Sequence, residues 1–135
     1  MAEKRITIYT DGSCSPNPGR GGWAYIAVVD DVEICDAGRD NNTTNNKMEL
    51  TAVIEAIKAF SLEKNFRIYS DSQLTIRCAL GTWRRNKNLH LWKQYDKYSK
   101  DKDIKFTWVK AHNGDRYNEL VDQLAKKCAT GKSEK

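Results

Sequence analysis

The sequence predicts an α/β fold in which three antiparallel strands lead into parallel ones. Three observations carry that expectation. Segments alternating apolar and polar residues open the chain, a long amphipathic helical stripe follows, and strand and helix then alternate to give the order βββαβααβα. The 135 residues suffice for one compact domain, with a core expected over about residues 5–129.

From Arg5 to Asp11, Ile6 and Ile8 alternate with Thr7 and Tyr9, which predicts a strand. Pro16, Pro18, Gly19, Gly21 and Gly22 then make a tight loop. Trp23 to Val29 and Val32 to Arg39 read as a hairpin turning at Asp30-Asp31. Thr43 to Asn46 is rich in helix-capping residues. After it Leu50, Val53, Ile54, Ile57 and Phe60 share one stripe of an amphipathic helix. Phe66 to Ser70 is a further strand, Ser72 to Leu80 a helix stopped by Gly81, and Leu89 to Tyr98 a helix with Leu89, Trp92 and Tyr95 on one side. Lys105 to Val109 is the last strand. Asp115 caps a final helix with Leu120, Val121, Leu124, Ala125 and Cys128 inside, and a polar tail follows from Thr130.

Composition narrows the function. No apolar run approaches the ~20 residues that span a bilayer. MAEKRITIYTDG carries charge but no apolar run, so no secretory signal is expected. Cys14, Cys35, Cys78 and Cys128 are scattered and form no C-x-x-C pair. Reduced thiols and a cytoplasmic location are expected rather than a zinc site or disulfide framework. The net charge of +5 is uneven. Residues 1–75 hold 8 Lys/Arg against 11 Asp/Glu, whereas residues 76–110 hold 10 against 3. A basic run is ordinarily a solvated surface, but beside an acidic site it suits a polyanionic partner.

The acidic residues carry the chemistry. Ile8-Tyr9-Thr10-Asp11-Gly12 and Ile68-Tyr69-Ser70-Asp71-Ser72 are matching strand ends, each stopping on an aspartate. In parallel neighbours both would emerge at the carboxyl edge, where open α/β sheets bind ligands. Either alone would pass as a turn or cap residue. Glu49, expected in the first turn of its helix, could merely complement the helix dipole. Asp122 lies inside the last helix beside Val121 and Leu124, where an aspartate needs a partner. Crowded carboxylates with oxygen-only ligation suit a hard ion such as Mg²⁺ or Mn²⁺. Two such ions ~3.5–4 Å apart can align water and leaving oxygen across a phosphodiester. No G-x-S-x-G or Walker loop offers other chemistry.

Together T-D-G-S-C at 10–14, N-P-G at 17–19, T-N-N-K-M-E-L at 44–50, Y-S-D-S-Q at 69–73, W-V-K-A-H at 108–112 and N-E-L-V-D at 118–122 resemble the type 1 ribonuclease H family. The resemblance runs from about Arg5 to Ala129. It implies a ribonuclease H-like fold with a five-stranded mixed sheet flanked by helices on both faces. It also implies an endoribonuclease that cuts the RNA strand of RNA–DNA hybrids, leaving 3′-hydroxyl and 5′-phosphate ends.

By that resemblance Asp11 bridges two Mg²⁺ ions, for which Mn²⁺ can substitute, and Glu49, Asp71 and Asp122 are the other ligands. His112, before Asn113-Gly114-Asp115, matches a mobile-loop histidine that moves a proton or assists product departure. Cys14, Asn17 and Gln73 match contacts to the RNA strand, whose 2′-hydroxyl separates RNA from DNA. Asn45 and Asn46 match groups reaching the minor groove, while Thr44 and, more loosely, Asn88 match a pocket for a DNA-strand phosphate. A monomer without membrane association is expected. The chain departs from the best-known bacterial members in lacking their basic handle, since only Gly81 to Lys87 separates the two middle helices. Trp83 with Arg84, Arg85 and Lys87 is a compact remnant, Trp83 being either a support for the DNA strand or part of the core. The competing readings are another nuclease or integrase of this fold, a catalytically silent hybrid-binding module, and a basic structural protein.

Overall fold

The computed structural model describes residues 5–110 and 115–130. Its elements follow the expected order: β1 (Ile6–Cys14), β2 (Gly19–Val29), β3 (Val32–Thr43), α1 (Asn45–Ala59), β4 (Asn65–Ser70), α2 (Gln73–Ala79), α3 (Leu89–Ser99), β5 (Asp103–Trp108) and α4 (Arg116–Thr130). Among the described residues the strands form one five-stranded sheet, ordered β3-β2-β1-β4-β5. The first three strands pair antiparallel, and β4 joins β1 in parallel with Tyr9 opposite Tyr69. Strand β5 continues the parallel half. This is the mixed sheet expected from the sequence. Among the described residues no helix is long and apolar enough to cross a membrane.

Local chemistry accounts for the boundaries. Asp30 and Asp31 both take positive φ, 51° and 68°, the backbone that a two-residue hairpin turn between twisted strands requires. Thr44 caps α1 by accepting from the Lys47 N–H at 3.2 Å, and Ser72 caps α2 by accepting from the Thr75 N–H at 3.1 Å. Asp115 accepts from the Asn118 N–H at 2.9 Å at the head of α4, as its position predicts.

The two sheet faces bury different sets. Ile8, Phe66 and Ile68 pack with Leu50, Val53, Ile54 and Ile57 of α1 and with Trp92 and Tyr95 of α3. On the opposite face Ala24 and Ile26 meet Val121 and Ala125 of α4. The approach there is close: a Cβ on Gly22 would lie 2.3 Å from the Ala125 carbonyl oxygen. One expectation for α4 fails. Leu120 is exposed rather than inside, because the buried stripe runs through Val121, Ala125 and Ala129, and Leu124 and Cys128 are only half-buried.

Candidate active site

Parallel pairing of β1 and β4 carries Asp11 and Asp71 to the same carboxyl edge. Thr44 starts α1 beside that edge, which brings Glu49 over it. Ligand oxygens of Asp11, Glu49 and Asp71 all lie within 4.8 Å of one another. Asp11 is only 3% exposed, and Glu49 and Asp71 are half-buried. Asp122, on α4, adjoins the group at Asp11, where its hydrogen bond and its charge hold that carboxyl above the usual range. It lies outside the 4.8 Å set, and its Oδ2 pairs with Lys126 Nζ at 3.0 Å.

The electrostatics follow from burying like charges. Burial, then the charge of Asp71, then the hydrogen bond and charge of Asp122 push the Asp11 carboxyl up to about 8, against a small opposing pull from the Gly12 N–H. Glu49 is pushed well above the usual carboxylate range, first by burial and then by the charges of Asp11 and Asp71. Among the described residues no basic side chain forms an ion pair with Asp11, Glu49 or Asp71. An oxygen-only set that ionises with difficulty and lacks a protein cation fits a hard divalent ion, which supplies the missing positive charge.

Three neighbours hold the acids, and none was singled out from sequence. The Gly12 N–H donates to Glu49 Oε1 at 2.9 Å and to Asp11 Oδ1 at 2.9 Å. A Cβ at Gly12 would sit 2.3 Å from the Glu49 backbone nitrogen, so only glycine lets α1 come this close. The Trp108 indole donates to the Asp71 carbonyl at 3.1 Å, and the Val109 N–H donates to the Ser70 carbonyl at 2.9 Å, tying the end of β5 to this strand end. Lys126 is the third. Its signal was the i,i+4 spacing from Asp122.

Glu49 also departs from its expected place. The helix begins at Asn45, so Glu49 lies past the first turn, which holds no acidic residue. Complementing the helix dipole therefore does not explain it.

The expected substrate groups do not gather in one place. Asn17 and Asn45 meet, the Asn45 N–H donating to Asn17 Oδ1 at 3.3 Å. The Cys14 thiol is buried, its Sγ lying 3.2 Å from the Pro16 carbonyl oxygen and 3.3 Å from the Thr43 carbonyl oxygen. Gln73 is exposed at the head of α2. Asn46 and Asn88 share a cavity of about 280 Å³ with Thr75, Arg84 and Lys87. Thr44 does not line that cavity. Asn88 adopts a left-handed backbone, φ 58°, and its side chain makes no capping bond. His112 lies outside the described residues.

The basic segment divides in use. Arg85 donates to both oxygens of Asp96 at 2.9 Å, donates to the Cys78 carbonyl at 3.0 Å and stacks 4.4 Å from the Trp92 ring. It ties α2 to α3. Arg84 and Lys87 are exposed, as is Trp83 at 43%, with Arg77 lying 5.2 Å from its ring. Trp83 is therefore a surface residue and not core.

The family described as RNase H matches residues 3–130. Ribonuclease H of Wolbachia pipientis wMel is 44% identical over 141 residues, covering 95% of this chain and 97% of that protein. Ribonuclease HI of Campylobacter jejuni subsp. jejuni serotype O:2 is 44% identical, covering 93% of this chain and 92% of its own length. Among solved structures, RNase H1 of Halobacterium salinarum superposes with a TM-score of 0.81 at 24% identity, over 95% of this chain and 99% of that one. LC11-RNase H1, solved in complex with an RNA/DNA hybrid, superposes with a TM-score of 0.77 at 21% identity, over 91% of this chain and 98% of that one. At these identities the two structural likenesses speak to the fold alone.

Proposed function

The chain belongs to the ribonuclease H family, and from that premise we propose that it hydrolyses the RNA strand of RNA–DNA hybrids at the Asp11 centre, leaving 5′-phosphate and 3′-hydroxyl ends. The observation that carries the reading is the set of three acids with ligand oxygens within 4.8 Å at the carboxyl edge of the sheet. Asp11, Glu49, Asp71 and Asp122 are the proposed ligands for two Mg²⁺ ions, with Mn²⁺ as the substitute. Such ions, when bound, offset charge on the phosphate and lower the pKa of bound water.

The protein's own residues supply position. Gly12 orients Glu49 and Asp11 through its N–H. Trp108 holds the backbone at Asp71. The Asn17–Asn45 contact joins the loop after β1 to the head of α1, an edge against which a strand can rest. Asn46 and Gln73 face solvent beside it and have the amide donors and acceptors that read a 2′-hydroxyl or a base edge. Cys14 is a further proposed neighbour of the RNA strand. Thr44 caps α1 and is the proposed neighbour of a DNA-strand phosphate, with Asn88, Arg84 and Lys87 of the adjoining cavity supplying amide and charge. His112 is the proposed proton carrier. The proposed working form is one cytoplasmic monomer with a single domain acting on a hybrid.

The test is cleavage of a hybrid labelled on its RNA strand, beside RNA–RNA and DNA–DNA duplexes, with and without Mg²⁺. The reading expects cutting of the hybrid alone, only with the ion, and products that accept ligation at their 5′-phosphate. Hybrid binding without cutting would instead identify a silent binding module. Equal cutting of duplex DNA would point to another nuclease of this fold.

A further inference from the structure

Lys126 is the one basic residue among the described residues that forms an ion pair with any of the four acids. Its Nζ lies 3.0 Å from Asp122 Oδ2, one helical turn further along α4. The helix cannot easily rotate away, because Val121 and Ala125 are fully buried against the sheet. Asp122 therefore stands between the acid cluster, which it adjoins at Asp11, and an ammonium on its other side. The Lys126 side chain is 56% exposed, so it can release Asp122 and extend into water without disturbing the packing.

We propose that Lys126 is a built-in counter-ion that sets how tightly the Asp122 side of the centre holds a divalent cation. It is a positioning residue, and the proposal rests on reading the four acids as metal ligands. Without metal, Lys126 occupies an oxygen of Asp122 and supplies a positive charge at the edge of the cluster. A divalent ion arriving at Asp122 must displace the ammonium and work against its field. The outcome is an ion held more weakly than four unopposed carboxylates would hold it, and hence exchangeable from one catalytic cycle to the next.

The experiment is calorimetric titration of the whole chain with Mn²⁺, without nucleic acid, on the parent protein and on Lys126→Met, Lys126→Arg and Asp11→Asn. Circular dichroism verifies the fold of each. Lys126→Met should bind Mn²⁺ roughly 2- to 5-fold more tightly, the scale of a solvent-exposed ion pair. Lys126→Arg keeps charge and reach and should return to the parent affinity. Unchanged or weaker binding in Lys126→Met, or an arginine variant behaving like the methionine one, overturns the proposal. Parent-like binding in Asp11→Asn would instead remove the metal-site reading itself, so the two failures are distinguishable.

Discussion

At the carboxyl edge of the sheet, backbone geometry holds the acids in place; between α2 and α3, side chains do the holding. Asp11 and Asp71 are set by strand register, and Glu49 by the contact of α1 with Gly12. The basic surface is different. Arg85 is committed to Asp96, Cys78 and Trp92, while Arg84 and Lys87 reach into solvent. Under the proposed function, the difference makes chemistry and grip separable. A change at the edge should alter the rate of a bound complex, and a change at the basic surface should alter how much complex forms.

The strongest way to break that separation is Asp71→Asn. It should lower cleavage by roughly 10³-fold or more, on the several-kcal/mol scale of metal-assisted charge stabilisation, while hybrid affinity in an electrophoretic shift assay stays at the parent value. Gly12→Ala comes next. The added Cβ would meet the Glu49 nitrogen at 2.3 Å and must push α1 outward. A displacement of that kind should cost on the order of 10²-fold in single-turnover rate with little change in affinity.

A pH series sharpens the description of the acid edge. The folded Asp11 carboxyl titrates at about 8 against an ordinary 3.8, so the native chain keeps a proton that the unfolded chain releases. This contribution to stability is fully present below the ordinary value and is lost as pH rises through about 8. The thermal midpoint of metal-free protein should therefore fall between about pH 5 and pH 8, and Mg²⁺ should restore it most at the upper end. Asp11→Asn should flatten the trend. A midpoint indifferent to pH in the parent protein would contradict the burial of these charges.

The smallest effects fall on the basic surface. Arg85→Ala should destabilise the fold by about 1–2 kcal/mol in a denaturant titration, through lost ring packing and a charge-assisted bond to a backbone carbonyl. The exposed Trp83→Ala should stay within about 0.5 kcal/mol. If Arg85→Ala left stability untouched and weakened only hybrid binding, the division of this segment into a structural and a gripping part would be wrong.

Much of this architecture was legible in the sequence because period and punctuation report which face a residue takes. The placement of Asp11 and Asp71 at the carboxyl edge, the stripe from Leu50 to Ile57 and the Asp30-Asp31 turn all came from such signals, although β1 does not stop on Asp11 but runs on to Cys14, paired with β2. Partners were less legible. Arg85 looks like Arg84 in sequence, and only the approach of Asp96 and Trp92 distinguishes them. Leu120 fits an apolar spacing but sits one step off the stripe that α4 buries. Trp108 reads as a strand residue, and its bond to the Asp71 carbonyl depends on β5 lying beside β4. Asp122 called for a partner from sequence, and metal was the reading. The structure adds Lys126 as a second claimant on the same carboxylate.

The most direct test of separable chemistry and grip is single-turnover cleavage of a labelled hybrid across a range of protein concentrations. It compares Asp11→Asn with the Arg84→Ala/Lys87→Ala double variant, each in saturating Mg²⁺. The account predicts that Asp11→Asn loses the rate at saturation and keeps the concentration giving half-saturation by binding. The double variant should do the reverse, saturating at higher concentration with the parent rate. A double variant with the parent half-saturation and a collapsed rate, or an Asp11→Asn protein that still cuts at the parent rate, would contradict it.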